Sequence, residues 1–128
     1  MLKTGIVHSV DILVTDNLSA KNMGSGSLDV LATPALIAGM ENVCMNCVAP
    51  FLEEGSTTVG TRVDVSHLAA TSLGDTVTYK CTLVEVDKRR LVFSVEAFDS
   101  SGKTGEGTHE RFIVDTARFM AKVNAKKN

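Results

Sequence analysis

TPALIAGMENVCMNCVAPFL, residues 33–52, is apolar nearly all round, with Glu41, Asn42 and Asn46 its only strongly polar side chains. Thr33 offers an N-cap, Pro34 suits the first helical position, and Pro50 stands where the helix must stop. A helix without a wide polar face has to be enclosed by the rest of the chain.

The remaining sequence supplies the enclosure. Residues 5–15, GIVHSVDILVT, hold Ile6, His8, Val10, Ile12 and Val14 in one phase and predict a first strand. DNLSAKNMGSGS (16–27) follows, a mobile connection or short helical turn. After the helix, EEGS turns the chain into four strand-like runs at 57–67, 75–87, 90–98 and 105–115, separated by SLGD (72–75), DKRR (87–90) and SSGKTG (100–105). Val77, Tyr79, Cys81 and Leu83 share one face of their run, as do Leu91, Phe93, Val95 and Ala97 of theirs. One strand, one buried helix and four strands in tight succession predict an α+β fold, an antiparallel sheet wrapped around a long central helix. That order describes the hotdog fold, with residues 1–128 as a single domain.

The totals fit this reading. A chain of 128 residues buries roughly two-thirds of its unfolded surface without staples. Thirteen Lys+Arg against 15 Asp+Glu leave a net charge of -2, which gives no global pull toward nucleic acid or an anionic membrane. Basic residues gather only in RFMAKVNAKKN (118–128), read as a solvated, fraying tail in preference to a phosphate-binding arm. His8, Ser9 and Asp11 interrupt the N-terminal hydrophobic positions, so neither a signal peptide nor a membrane span is expected.

Three cysteines, an odd number, suit a reducing compartment and a cytoplasmic protein. Cys44 and Cys47 spell CMNC, but no second pair completes a metal site and the motif lies inside the apolar helix. Buried core thiols at i and i+3 are expected, with no metal and no cofactor.

Five positions stand out chemically. In TRVDVSHLAATS (61–72), Thr61, Val63, Val65 and His67 fall on one face, and His67 is either a hydrogen-bonded core residue or a base facing a pocket. Glu41 shares a helix stripe with Ile37, Cys44 and Val48, so it needs an ion-pair partner or a polar cavity. Thr33 is either a plain N-cap or a hydroxyl set where helix amides can hold a developing oxyanion. GEGTHERFIVD (105–115) puts His109, Arg111 and Ile113 on one face; Arg111 suits a carboxylate such as Glu41 or an anionic part of a substrate, unless this is a solvated edge strand. Gly60, beside Thr61, marks a place where a backbone or ligand approaches closely.

VLATPALIAGME (30–41), TTVGTRVDVSHLAAT (57–71), VEVDKRRLVFSVEAFD (84–99) and GEGTHERFIVD (105–115) together resemble the fluoroacetyl-CoA-thioesterase-like family of hotdog thioesterases. The resemblance implies a homodimer hydrolysing an acyl-CoA thioester. It implies catalytic roles for Thr33, Glu41 and His67 and substrate binding by Gly60 and Arg111. On this view His67 is catalytic in preference to structural. The family's fluoroacetyl selectivity rests on an aromatic lid ahead of the helix, whereas NLSAKNMGSGSLDVL (17–31) contains no aromatic, so that selectivity is not implied here.

Two other functions belong to the same fold. A non-catalytic module would bind an acyl-CoA or other small ligand without releasing CoA. A hydratase or dehydratase would also use an acid–base pair on an acyl thioester, but no Asp-x-x-x-x-His arrangement stands at a helix start.

Overall fold

The computed structural model describes residues 2–127. Strand β1 is Val7–Leu13, followed by a 3-10 turn at Asp16–Leu18 and the short helix α1, Ala20–Met23. Then come helix α2, Thr33–Val48, the strands β2, Ser56–His67, β3, Thr76–Asp87, β4, Arg90–Asp99, and β5, Gly102–Asp115, and finally helix α3, Thr116–Ala125. The strands form one antiparallel sheet in the order β1-β3-β4-β5-β2. Tight turns make β3, β4 and β5 neighbours, while β2 takes the far edge after the chain has crossed through α2.

The sheet wraps α2 as the hotdog pattern requires. Val77, Tyr79, Cys81 and Leu83 of β3 and Leu91, Phe93, Val95 and Ala97 of β4 are all buried, against Leu36, Met40, Val43 and Cys44 of α2. Gly39 sets the closeness of that contact. A Cβ there would lie 2.3 Å from the Tyr79 ring, so the helix meets this aromatic through bare backbone.

β2 contains the irregularity that shapes the site. Gly60 pairs with Arg111 and Arg62 with Glu110, which leaves Thr61 as the extra residue of a β-bulge. The bulge moves the helix-facing set from Thr58 and Gly60 to Val65 and His67. Thr61 drops out of the expected inward row; it is exposed, and its hydroxyl donates to the Glu110 carbonyl at 3.2 Å.

Three further expectations are corrected. Thr33 is the first helical residue, not the N-cap; Ala32 takes the cap position and no side chain caps the helix. The SSGKTG turn shrinks to Ser100 and Ser101, because the Asp99 carboxylate accepts from the Ser101 amide at 2.8 Å and lets β5 start at Gly102. The basic tail is helical up to Ala125: the Asp115 side chain accepts from the Arg118 amide at 2.9 Å and so caps α3.

Gly39→Ala should test the helix–sheet contact. Alanine is the better helix former by about 1 kcal/mol, yet the Tyr79 ring blocks its methyl. A net loss of about 1–3 kcal/mol is expected from overpacking, read as a lower urea midpoint at unchanged slope.

Candidate functional site

At the start of α2 the Thr33 hydroxyl and His67 Nδ1 lie 2.7 Å apart, joining the helix to the end of β2. Burial lowers the His67 pKa from its ordinary value, against a smaller opposing effect of the Ala69 backbone, so the imidazole is neutral at neutral pH. Its Nε2 is buried without a hydrogen-bond partner among the described residues. Pro34 has no N–H and the Ala32 and Leu36 amides are bonded to Leu18 and Ala32, so with no side-chain cap among the described residues the Thr33 and Ala35 amides are the first-turn donors left beside this pair. A neutral base, a hydroxyl and unsatisfied amides therefore meet at one helix terminus.

The second group forms two turns along the helix. Glu41 is part-exposed, its Oε2 3.8 Å from Arg111 Nη1. Arg111 is itself buried, since β5 lies between β4 and β2 and is not an edge strand. Its Nε donates to Thr58 Oγ1 at 2.8 Å, its Nη2 to the Thr58 carbonyl at 2.9 Å, and its Nη1 to His109 Nε2 at 3.1 Å. The inward-facing guanidinium is thus occupied within the protein, with Glu41 as its nearest anion.

His109 completes this net. Its Nδ1 is 2.7 Å from the Arg62 carbonyl, so Nδ1 must carry the proton and Nε2 must accept from Arg111. Burial lowers its pKa; the Arg62 carbonyl opposes this, the Arg111 charge reinforces it, and Glu41 and Glu110 oppose it weakly. The ring stacks on Phe93 with centroids 6.5 Å apart.

Gly60 faces this second group alone. A Cβ at Gly60 would stand 2.8 Å from Glu41 Oε2 and 3.2 Å from His109 Cε1. The close approach read from the sequence is therefore made by the glutamate carboxylate. Thr58, which holds Arg111 through both side chain and backbone, is the site residue that the sequence reading missed. The bulge beyond Gly60 hides its inward phase.

The structure thus joins Thr33 to His67, and Glu41 to Gly60 and Arg111, as two clusters. Eight residues separate Thr33 from Glu41, about 12 Å of helix rise. The cysteines belong to neither. Cys44, Cys47 and Cys81 are buried together; Cys81 Sγ donates to the Val43 carbonyl at 3.5 Å, and burial pushes the Cys47 thiol up to about 12. No group of three or more His, Cys, Asp or Glu side chains is placed to hold a metal ion among the described residues. No described helix is long and apolar enough to cross a membrane.

Residues 14–117 match a family model described as fluoroacetyl-CoA-specific thioesterase. The fluoroacetyl-CoA thioesterase of Streptantibioticus cattleyicolor is 42% identical over 98 residues, covering 77% of this chain and 70% of that protein. A variant of the fluoroacetyl-CoA thioesterase FlK, solved in complex with acetyl-CoA, superposes with a TM-score of 0.94 at 33% identity, covering 99% and 100% of the two chains. A thioesterase superfamily member from Thermus thermophilus gives 0.91 at 26% identity, covering 99% and 94%.

The histidines generate a pH prediction. Both His67 and His109 have folded pKa values below the ordinary 6.5, so folding favours their neutral forms. Their stabilisation is present above pH 6.5 and is lost as pH falls below it toward the folded values. Tm should therefore drop between pH 7 and pH 5. His109→Gln keeps a donor for Arg62 and an acceptor for Arg111 without titrating, and should make that drop shallower.

Proposed function

The chain belongs to the fluoroacetyl-CoA-specific thioesterase family and is a thioester hydrolase, and on that premise we propose that it cleaves a small acyl-CoA through Thr33, Glu41 and His67. Water supplies oxygen to the acyl carbon, the C–S bond breaks, and the departing thiolate takes a proton to leave free acid and CoA. The observation that carries this reading is the 2.7 Å contact of Thr33 with His67 at an uncapped helix start. The first-turn amides of α2 are suited to the carbonyl oxygen as it gains charge. His67, neutral and tied to Thr33, is suited to take a proton from water. Glu41, beside Arg111, supplies the carboxylate that attacks the acyl carbon or activates water.

One acyl carbon cannot reach both clusters of the same chain, so the proposal includes a homodimer. β2 is an edge strand with one unpaired side. Antiparallel pairing with a second β2 about a point between Val63 and Asp64 sets Gly60 beside His67 of the partner subunit. The same two-fold axis passes near Ile37, midway between Thr33 and Glu41. Each site would then take Glu41, Gly60 and Arg111 from one chain and the Thr33–His67 pair from the other. The three unbridged thiols suit a cytoplasmic setting.

The segment from Asn17 to Leu31 has no aromatic side chain, so the acyl group need not be fluoroacetyl; short, branched and aryl acyl groups all belong to the test. CoA release from such a panel should be saturable, and Glu41→Gln and His67→Ala should each lose at least about tenfold in kcat while remaining folded. Saturable binding without CoA release would replace this reading with a binding module. Mixing the two inactive variants should restore roughly a quarter of wild-type activity. Half of randomly assorted dimers are mixed, and each mixed dimer has one intact composite site. No recovery after subunit exchange would place each site within one chain.

A further inference from the structure

A cavity of about 580 Å³ opens where α3 crosses the end of the sheet, away from both clusters described above. Phe51, Phe112 and Phe119 line it, three of the five phenylalanines in the chain. Each is more than a third exposed, although each is large enough to fill a core. Arg89, Arg118 and Lys122 stand among these rings. None of the three has an ion-pair partner among the described residues, whereas Arg62, Arg90, Lys103 and Arg111 are all paired. The cavity also includes Asp115 and Glu53, but the Asp115 carboxylate is engaged in capping α3.

We propose that this cavity holds the adenosine 3′,5′-bisphosphate end of CoA, with the adenine on the phenylalanine faces and the phosphates on Arg89, Arg118 and Lys122. Exposed aromatic faces stack on a nucleobase, and unpaired guanidinium and ammonium groups are what phosphate oxygens select. Arg118 and Lys122 are one helical turn apart and share a face of α3. The volume lies within the range of small-molecule sites.

Reach supports the same occupant. Along the β2–β5 ladder, Gly60 pairs with Arg111 beside Glu41, Thr58 with Ile113, and Ser56 with Asp115. Ile113, Ser56 and Asp115 line the cavity, which therefore begins two residues beyond the Glu41 carboxylate and extends to four, about 7 to 13 Å of strand. The pantetheine arm between sulfur and diphosphate has a backbone as long as four to five residues and spans about 15 Å. A thioester at Glu41 thus leaves its nucleotide at this cavity.

The inference rests on the acyl-CoA reading, so the experiment separates the two. Turnover of one acyl-CoA is compared with that of the matching acyl-pantetheine, which lacks the nucleotide, for wild type and for the Arg118→Ala/Lys122→Ala double variant. The expected result is a KM for acyl-CoA raised about 10- to 100-fold, with kcat held and the acyl-pantetheine KM unchanged. An acyl-CoA KM within twofold of wild type would overturn the inference. So would an equal rise for both substrates, which would mark α3 as merely structural. Calorimetric binding of adenosine 3′,5′-bisphosphate gives a readout independent of hydrolysis: wild type should bind and the double variant should lose at least tenfold. Wild-type binding without turnover would leave the nucleotide site standing and remove the thioesterase roles; no binding by wild type would remove the site.

Discussion

Helix α2 carries apolar side chains round most of its circumference, and a sheet must curve about it before those surfaces leave water. Val43 and Cys44 in the helix, Leu83 in β3 and Phe93 in β4 have no exposed surface at all. Each element is thereby fixed relative to the helix axis. Tyr79 against Gly39 sets the spacing at one point, and the polar clusters occupy the flank where β2 closes over the helix. Their geometry follows from the packing of the apolar core.

The buried Arg111 shows how such a site tolerates charge inside an apolar frame. A guanidinium removed from water costs several kcal/mol unless its donors are met. Here Thr58 takes two of them and a neutral His109 a third, leaving one edge toward Glu41. His109 can accept from Arg111 only because its other nitrogen donates to Arg62. The orientation of the glutamate is thus set three residues deep, through strands β2 and β5.

Much of this architecture was legible in the sequence. The period-two faces of β3 and β4 and the proline marks around α2 are local signals, and the structure follows them. The Glu41–Arg111 pairing could be read because a carboxylate and a guanidinium on buried faces need each other. Of the two readings of Thr33 the cap is the one that fails: threonine before proline fits a cap by propensity, whereas its hydroxyl meets His67, 34 residues away. Thr58 is hidden for a similar reason: the bulge at Thr61 inverts the strand phase, and Gly60 beside it reads as a close approach instead of a bulge. The tail reads as a fraying end because it is terminal and basic, whereas the Asp115 cap holds it as a helix that buries none of its residues.

The three thiols have a kinetic consequence. Cys44, Cys47 and Cys81 lie on both sides of the helix–sheet contact; the neighbouring Cys81 thiol, with burial, keeps Cys44 protonated, and burial does the same for Cys47. A thiol reagent can reach them only when α2 lifts from the sheet, so their labelling rate is a clock for that opening. The motif that resembles a redox pair thereby makes the core report its own breathing, on a timescale that hydrolysis does not touch.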